Sequence, residues 1–328
     1  RTNSVKAILN GQLEIFNYCL INNKFDWNID PITGFQWGED VWYRDARSNL
    51  PFGTDIKRPW ELSRFYFALP ASLEYFSSKD ERLAKYVIDA ILNWSKSNPV
   101  GVAPNWSCTM EVAIRFANIS LSLVLLSQSQ YFLTNQKKLE QLLNIHIGFI
   151  ENNYENISKI TSNHYVANIS GLYVGLKFLP LTRSGQKAIK FVKRELELEI
   201  EKQTLPDGYN FELSSSYHKL VFEFFYYAFS ISSPGEFSAT YREVLERQLH
   251  VLNTLIKPSG DIVQLGDNDS GRFLVINGLQ NLGSTWFSDD IAVFNKHLGY
   301  KRNNNKVYFH ESAGVYIAEF GDFYFCIK

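Results

Sequence analysis

The stretch DGYNFELSSSYHKLVFEFFYYAFSI, residues 207–231, decides how this chain is read. Its first half is turn and cap chemistry. Asp207-Gly208 marks a reversal, and Ser214 to Ser216 offer N-caps, so a helix is expected to begin near Tyr217. The second half repeats apolar side chains at i, i+3, i+4 and i+7 with few charges, which predicts a helix over 217–231 rich in aromatics and meant for an interior.

Seven further segments carry the same period: 60–76, 82–97, 110–127, 138–154, 163–179, 185–203 and 240–256. The run ELELEIE within 185–203 also alternates with period two, but Val192, Leu196 and Ile200 at i, i+4 and i+8 favour a helix. In chain order the segments alternate. Those at 60, 110, 163 and 217 are rich in aromatic and small residues, whereas those between them present Lys and Glu faces, which suggests inner and outer layers. The inner starts at Glu61, Glu111, Asn163 and Tyr217 recur at roughly fifty residues, one helical hairpin per step of an array. Hairpins stacked side by side have parallel inner helices about 8–10 Å apart, so their N-termini open on one mouth.

The pattern changes after GDNDSGRF (266–273). VYFHES (307–312) and GVYIAEFGDFYFCIK (314–328) alternate β-branched and aromatic residues, with Gly321-Asp322 as a two-residue hairpin turn. An unpaired terminal FYFCIK strand is an aggregation hazard, so Lys328 reads as a truncation point at the edge of a β-domain.

Composition narrows the function classes. The 328 residues are 45% apolar and 20% charged, a globular balance, and no stretch approaches the roughly 20 apolar residues of a membrane helix. With 33 Lys+Arg against 34 Asp+Glu there is no global field for nucleic acid, so an anionic partner must meet a local patch. Cys19, Cys108 and Cys326 are too scattered for a disulfide framework or a zinc finger. Aromatics reach 15%, enough to fill a core and also to offer flat rings for stacking on sugars.

Two pairs stand out as chemistry. Ser162 precedes Asn163-His164 and the triple serine precedes Tyr217-His218, so both pairs lie in the first turn of neighbouring inner helices. Helix N-termini favour anions and keep imidazole neutral. That suits β-elimination on a uronic acid: Asn163 and His164 stabilise charge on the substrate carboxylate, and Tyr217 moves the proton, assisted by His218 or His164. His146, His250, His297 and His310 read as packed residues. The carboxylates of Asp207, Glu212, Glu111, Asp267 and Asp269 offer a rival acid/base pair for a glycoside hydrolase, although Asp207 also suits a turn and Glu212 a cap. GDNDSG is not an EF-hand, because its glycine comes one place early and Gly278 stands where the bidentate Glu belongs. Candidate substrate contacts are Lys57, Trp60, Trp106, Glu111, Arg115 and Glu212, with an intrahelical Glu111–Arg115 ion pair as the ordinary alternative for those two.

Five stretches in order, DIKRPWELSRFYFALP (55–70), NWSCTMEVAIRFAN (105–118), SNHYVAN (162–168), DGYNFELSSSYHKL (207–220) and LGDNDSGR (265–272), together resemble the heparinase II/III-like polysaccharide lyases. The resemblance covers most of the chain. It implies a mainly α fold: an incomplete (α/α) toroid of helical hairpins over 1–275, then a linker and the truncated first strands of an antiparallel β-sandwich over 276–328. It also implies β-elimination on an acidic polysaccharide containing uronic acid. The family's carboxylate-neutralising amide matches Asn163, its catalytic tyrosine Tyr217, and the neighbouring histidines His164 and His218. No cofactor is implied within this chain. A further histidine and, in some members, a structural metal come from the β-sandwich beyond Lys328. Members differ in substrate, cutting heparan sulfate, alginate or other acidic glycans, and a non-catalytic glycan-binding or assembly role is the other alternative. A periplasmic or secreted location is expected over a cytoplasmic one; the start RTNSVKAILNG, with no signal-like apolar run, does not decide it.

Overall fold

The computed structural model describes residues 12–15, 18–21, 25–156, 161–180, 183–269, 271–276, 287–301, 307–320 and 323–328. They divide into two compact units, one of Arg1–Ile157, Gly171–Gln186 and Leu274–Gln280, the other of Ser158–Ser170, Lys187–Phe273 and Asn281–Lys328.

In the first unit an antiparallel pair, β1 (Gln12–Ile15) and β2 (Tyr18–Ile21), precedes α1 (Lys57–Ser63), α2 (Ala68–Ser78), α3 (Glu81–Ser97), α4 (Thr109–Leu125) and α5 (Gln130–Asn152). The expected layering is present: α2 packs on α4 and α3 on α5, while α2–α3 and α4–α5 join the layers. Every residue of α4 from Thr109 to Ser120 is buried, the charged Glu111 and Arg115 included, as an inner helix of few charges demands. In α3 the buried stripe runs through Leu83, Val87, Ile91 and Trp94, leaving its Lys and Glu residues outside.

The segment read as one helix over 60–76 is two. Phe65 has φ 58°, in the left-handed region, and ends α1. That conformation costs a side-chain-bearing residue on the order of 1–2 kcal/mol. Its ring is fully buried, stacked on Trp27 at 5.2 Å and edge-on to Trp94 at 6.3 Å. Burying a phenylalanine contributes about 1.5–3 kcal/mol, which offsets the strained backbone. Helix α5 begins earlier than the period over 138–154 predicts: Ser129 caps it by accepting from the N–H groups of Tyr131 and Phe132.

Helix α6 (Asn163–Leu176) changes surroundings at Gly171. A Cβ there would lie 2.5 Å from the carbonyl oxygen of Ala113, and one at Gly175 would strike the Phe116 ring, so this part of α6 approaches α4 as closely as two backbones allow. We expect Gly171→Ala to destabilise the unit by about 1–3 kcal/mol through overpacking. An unchanged denaturant midpoint would remove the close-approach argument.

The second unit holds the first turns of α6, most of α7 (Arg183–Lys202), then α8 (Ser215–Ser230), α9 (Ala239–Thr254), α10 (Phe287–Leu298) and a sheet of β3 (Val307–His310), β4 (Val315–Phe320) and β5 (Phe323–Ile327). Val192, Leu196 and Ile200 are fully buried on α7, which settles the ELELEIE ambiguity in favour of helix. Helix α10 was not anticipated; it docks on α9 through reciprocal Asn253–Asn295 amide hydrogen bonds of 2.8 and 2.9 Å. The sheet is antiparallel in the order β3-β4-β5. Tyr308, Val315 and Ile317 point inward onto Tyr209, Val251 and Leu255, while Val307, Phe309, Tyr316 and Phe320 are exposed, the alternation of a one-sided sheet. Phe320 pairs with Phe323, so the expected hairpin is present, although Gly321 and Asp322 lie outside the described residues. Among the described residues no helix is long and apolar enough to cross a membrane.

Candidate active site

The site is built at the N-terminus of α8, where the three serines have separate tasks. Ser214 is the N-cap: its Oγ accepts from Tyr217 N–H at 3.2 Å and donates to the Asp267 carbonyl at 2.5 Å. Ser215 exchanges hydrogen bonds with Leu265, its N–H donating to the carbonyl at 2.9 Å and its Oγ accepting from the N–H at 3.0 Å. Ser216 Oγ donates to Asn268 Oδ1 at 2.7 Å. Together they staple the 265–269 loop to the helix start. Gly266 suits that approach, with φ 68° in the left-handed region and Ser214 Cα only 3.2 Å from where an added Cβ would lie, a tight contact.

The stapled loop delivers Asp269 to Tyr217. The half-buried phenol donates to Asp269 Oδ2 at 2.8 Å. Burial first, then the hydrogen bond and charge of Asp269 and the charges of Asp267 and Glu212, push the phenol's pKa above its ordinary value, so Tyr217 carries its proton at neutral pH.

Asn163 opens α6 and is held by Glu212, 49 residues away. Glu212 accepts from the Asn163 main-chain N–H at 2.9 Å and from Nδ2 through both carboxylate oxygens, at 3.0 and 2.8 Å. One amide hydrogen thus spans the carboxylate and the second remains to donate. Asn163 is itself nearly buried, at 6% exposure. Beside it His164 is half-buried, with its main-chain N–H on Ser162 Oγ at 3.3 Å, which bears out Ser162 as the cap. The two helix starts expected to share a site are therefore joined through Glu212.

His218 requires a correction. It is fully buried, its Nδ1 accepts from Asn210 N–H at 3.0 Å, and Nε2 therefore carries the hydrogen and donates to the Gln248 carbonyl at 3.0 Å. Burial holds its pKa down to about 4; desolvation, and not the helix dipole, keeps it neutral. Both nitrogens are occupied, so His218 does not meet substrate. It positions: Asn210 Oδ1 accepts from Glu212 N–H at 3.0 Å, and Glu212 grips Asn163.

Glu212 is thereby a brace for Asn163 in place of a substrate contact. Asp207 is likewise committed, accepting from Tyr209 N–H at 3.2 Å and from Ala313 N–H at 3.1 Å. The carboxylate pair of the hydrolase alternative is thus occupied with structure.

The remaining candidates belong to the first unit. Trp106 and Trp60 are core residues at 1% and 6% exposure, their indole N–H groups bonded to the carbonyls of Asn98 and Pro104. Stacking on a sugar is closed to both. Glu111 does not pair with Arg115; both its oxygens accept from Arg64, each at 2.6 Å, and all three residues are buried. Arg115 lies over the Trp94 ring at 4.2 Å and donates to His146 Nε2 at 3.0 Å. Burial lowers its pKa to about 9 against the pull of Glu111, and that of His146 to about 3. Neither Glu111 nor Arg115 can greet a substrate. Lys57 alone of the set is exposed.

Reading the sequence missed the part played by LGDNDSGR. Its second glycine, Gly271, presses on Leu220, where a Cβ would come within 2.9 Å, and Arg272 is buried between Glu223 (2.8 Å) and Asp290 (2.5 Å). Two glycines flanking an acidic run beside a buried arginine was the available signal.

The family described as Heparinase II/III N-terminus matches residues 3–292. A heparin-sulfate lyase of Pedobacter heparinus is 24% identical over 226 residues, 64% of this chain and 32% of that protein. Among solved structures, heparinase III superposes with a TM-score of 0.67 at 16% identity, over 97% of this chain and 50% of that one. The heparan sulfate lyase HepC of Pedobacter heparinus gives 0.58 at 20%, over 97% and 48%. The chain spans between a third and a half of the length of these relatives. The likeness in fold agrees with the mainly helical class, an incomplete (α/α) toroid of hairpins leading into antiparallel strands. With most of its length matched by one family, the chain belongs to the heparinase II/III N-terminus family.

Proposed function

We propose that the full-length protein is a polysaccharide lyase that cleaves an acidic, uronic-acid-containing polysaccharide by β-elimination. The observation that carries this reading is the Glu212 bridge, which brings the amide of Asn163 to the helix start that bears Tyr217. The relatives' names, heparin-sulfate and heparan sulfate lyase, support an acidic polysaccharide as the substrate class, and a uronic acid is the sugar that the elimination reading requires.

In this reading the free amide hydrogen of Asn163 donates to the substrate carboxylate as the proton on the adjacent carbon leaves and charge moves onto the carboxylate oxygens. A donor aimed at developing charge is the usual means of lowering such a barrier. Tyr217 moves the proton, and His164, half-buried beside Asn163, assists.

The test is an ultraviolet screen of the full-length protein against a panel of uronic-acid polymers. An unsaturated product is expected from at least one. Turnover to saturated ends would favour a hydrolase, and no turnover with Asn163 and Tyr217 intact would favour a glycan-binding role. On the active polymer, Asn163→Ala should lower kcat by about 10²–10³, roughly 3–4 kcal/mol of transition-state stabilisation. A wild-type rate would remove Asn163 from the mechanism.

A further inference from the structure

We propose that Asp269 is a positioning residue for Tyr217: from a loop stapled to the helix start, its carboxylate fixes the phenol through a 2.8 Å hydrogen bond and governs when that phenol holds its proton. The inference rests on the elimination reading for its kinetic consequence, but the contact stands by itself.

The geometry argues for a built device. Five hydrogen bonds from Ser214, Ser215 and Ser216 tie residues 265–268 to the first turn of α8, so the position of Asp269 relative to Tyr217 is set by backbone and cap contacts and does not depend on the two side chains finding each other. An exposed pair held loosely would contribute little, because ordering both side chains opposes the bond. Here much of that ordering is done by the staples. The Tyr217 main chain is itself fixed by the Ser214 cap, which accepts from its N–H.

Asp267 and Asp269 come from the loop and Glu212 from the segment before α8. Lys328, at the end of β5, donates its ammonium to the Leu213 carbonyl at 2.8 Å, and Lys219 lies buried farther along α8. Three carboxylates act in the direction that holds the proton on the phenol, and only Asp269 does so through a direct bond. Removing its charge while keeping its shape must therefore ease ionisation of Tyr217. The limb of the pH–rate profile that Tyr217 sets moves to lower pH whether the phenol serves as acid or as base. If it serves as base, activity at neutral pH rises; if as acid, activity at neutral pH holds and only the alkaline side of the profile falls.

The experiment uses the full-length protein carrying Asp269→Asn and Asp269→Ala. Kinetically, the Tyr217 limb of kcat, identified by its loss in Tyr217→Phe, is expected to move down by about one pH unit in Asp269→Asn. A limb that stays in place overturns the proposal. Independently of turnover, the ring carbon that bears the hydroxyl of Tyr217 is followed by carbon-13 NMR, its signal assigned by its absence in Tyr217→Phe. Its titration is expected to shift to lower pH in both Asp269 variants, and superimposable curves overturn the proposal even in a protein that cleaves nothing. A wild type without unsaturated product together with a shifted titration would sink the elimination reading and leave the Asp269–Tyr217 device standing.

Discussion

Tyr217→Phe in the full-length protein is expected to lower kcat by about 10²–10⁴ on any uronic polymer it cleaves, with KM little changed. The substitution deletes one oxygen. The ring stays half-buried, and the Ser214 cap on the Tyr217 N–H is a main-chain contact that phenylalanine keeps. The partner that loses its donor, Asp269, is exposed and is rehydrated at small cost. The fold should therefore survive, which makes the variant a clean probe of proton transfer. A loss confined to KM would mean that Tyr217 binds sugar and transfers nothing, and a wild-type profile would remove it from the chemistry.

The same helix start shows why Tyr217 and His218 stand together. Successive residues on a helix point about 100° apart, so one can face the loop while the other faces the interior. Tyr217 meets Asp269, and His218 is locked between Asn210 and Gln248. From sequence both looked equally able to move protons, because a one-residue step on a mostly buried helix carries no signal of which side is wet.

What could be read was the part fixed by local chemistry and period. Ser162 and Ser214 act as caps, Val192, Leu196 and Ile200 face the interior, and Tyr308, Val315 and Ile317 alternate with exposed neighbours. What could not be read was partner choice between charged residues distant along the chain. Glu111 and Arg115 have the spacing of an intrahelical pair, yet Glu111 takes Arg64, which ends a helix just before the break at Phe65. Trp60 and Trp106 looked suited to sugar stacking, and an aromatic-rich chain gives no hint of which rings a core will claim. In sequence Glu212 suits an acid, a cap or a substrate contact equally. Its actual role as a brace depends on α6 arriving beside it, which no local pattern encodes.

Arg272→Ala should destabilise the second unit by about 3–5 kcal/mol, the effect of leaving buried carboxylates without their counter-ion. Arg272 is 3% exposed, with Glu223 on one side and Asp290 on the other, and Glu223 also accepts from Phe273 N–H at 2.9 Å. Burial already raises the pKa of Glu223 against the attraction of Arg272, so its folded carboxyl binds a proton more tightly than its unfolded one. A group of that kind costs the folded state stability as pH rises through the unfolded and then the folded value. Without the arginine that pKa must climb further, and the deficit of Arg272→Ala should grow from acid toward neutral pH and shrink again on acidification. Loss of packing alone would give a deficit independent of pH, so denaturant unfolding at mildly acidic and neutral pH separates the two causes. Arg272→Met keeps most of the side-chain volume and should show the same pH dependence; stability equal to wild type in that variant would mean that the buried carboxylates find their compensation elsewhere.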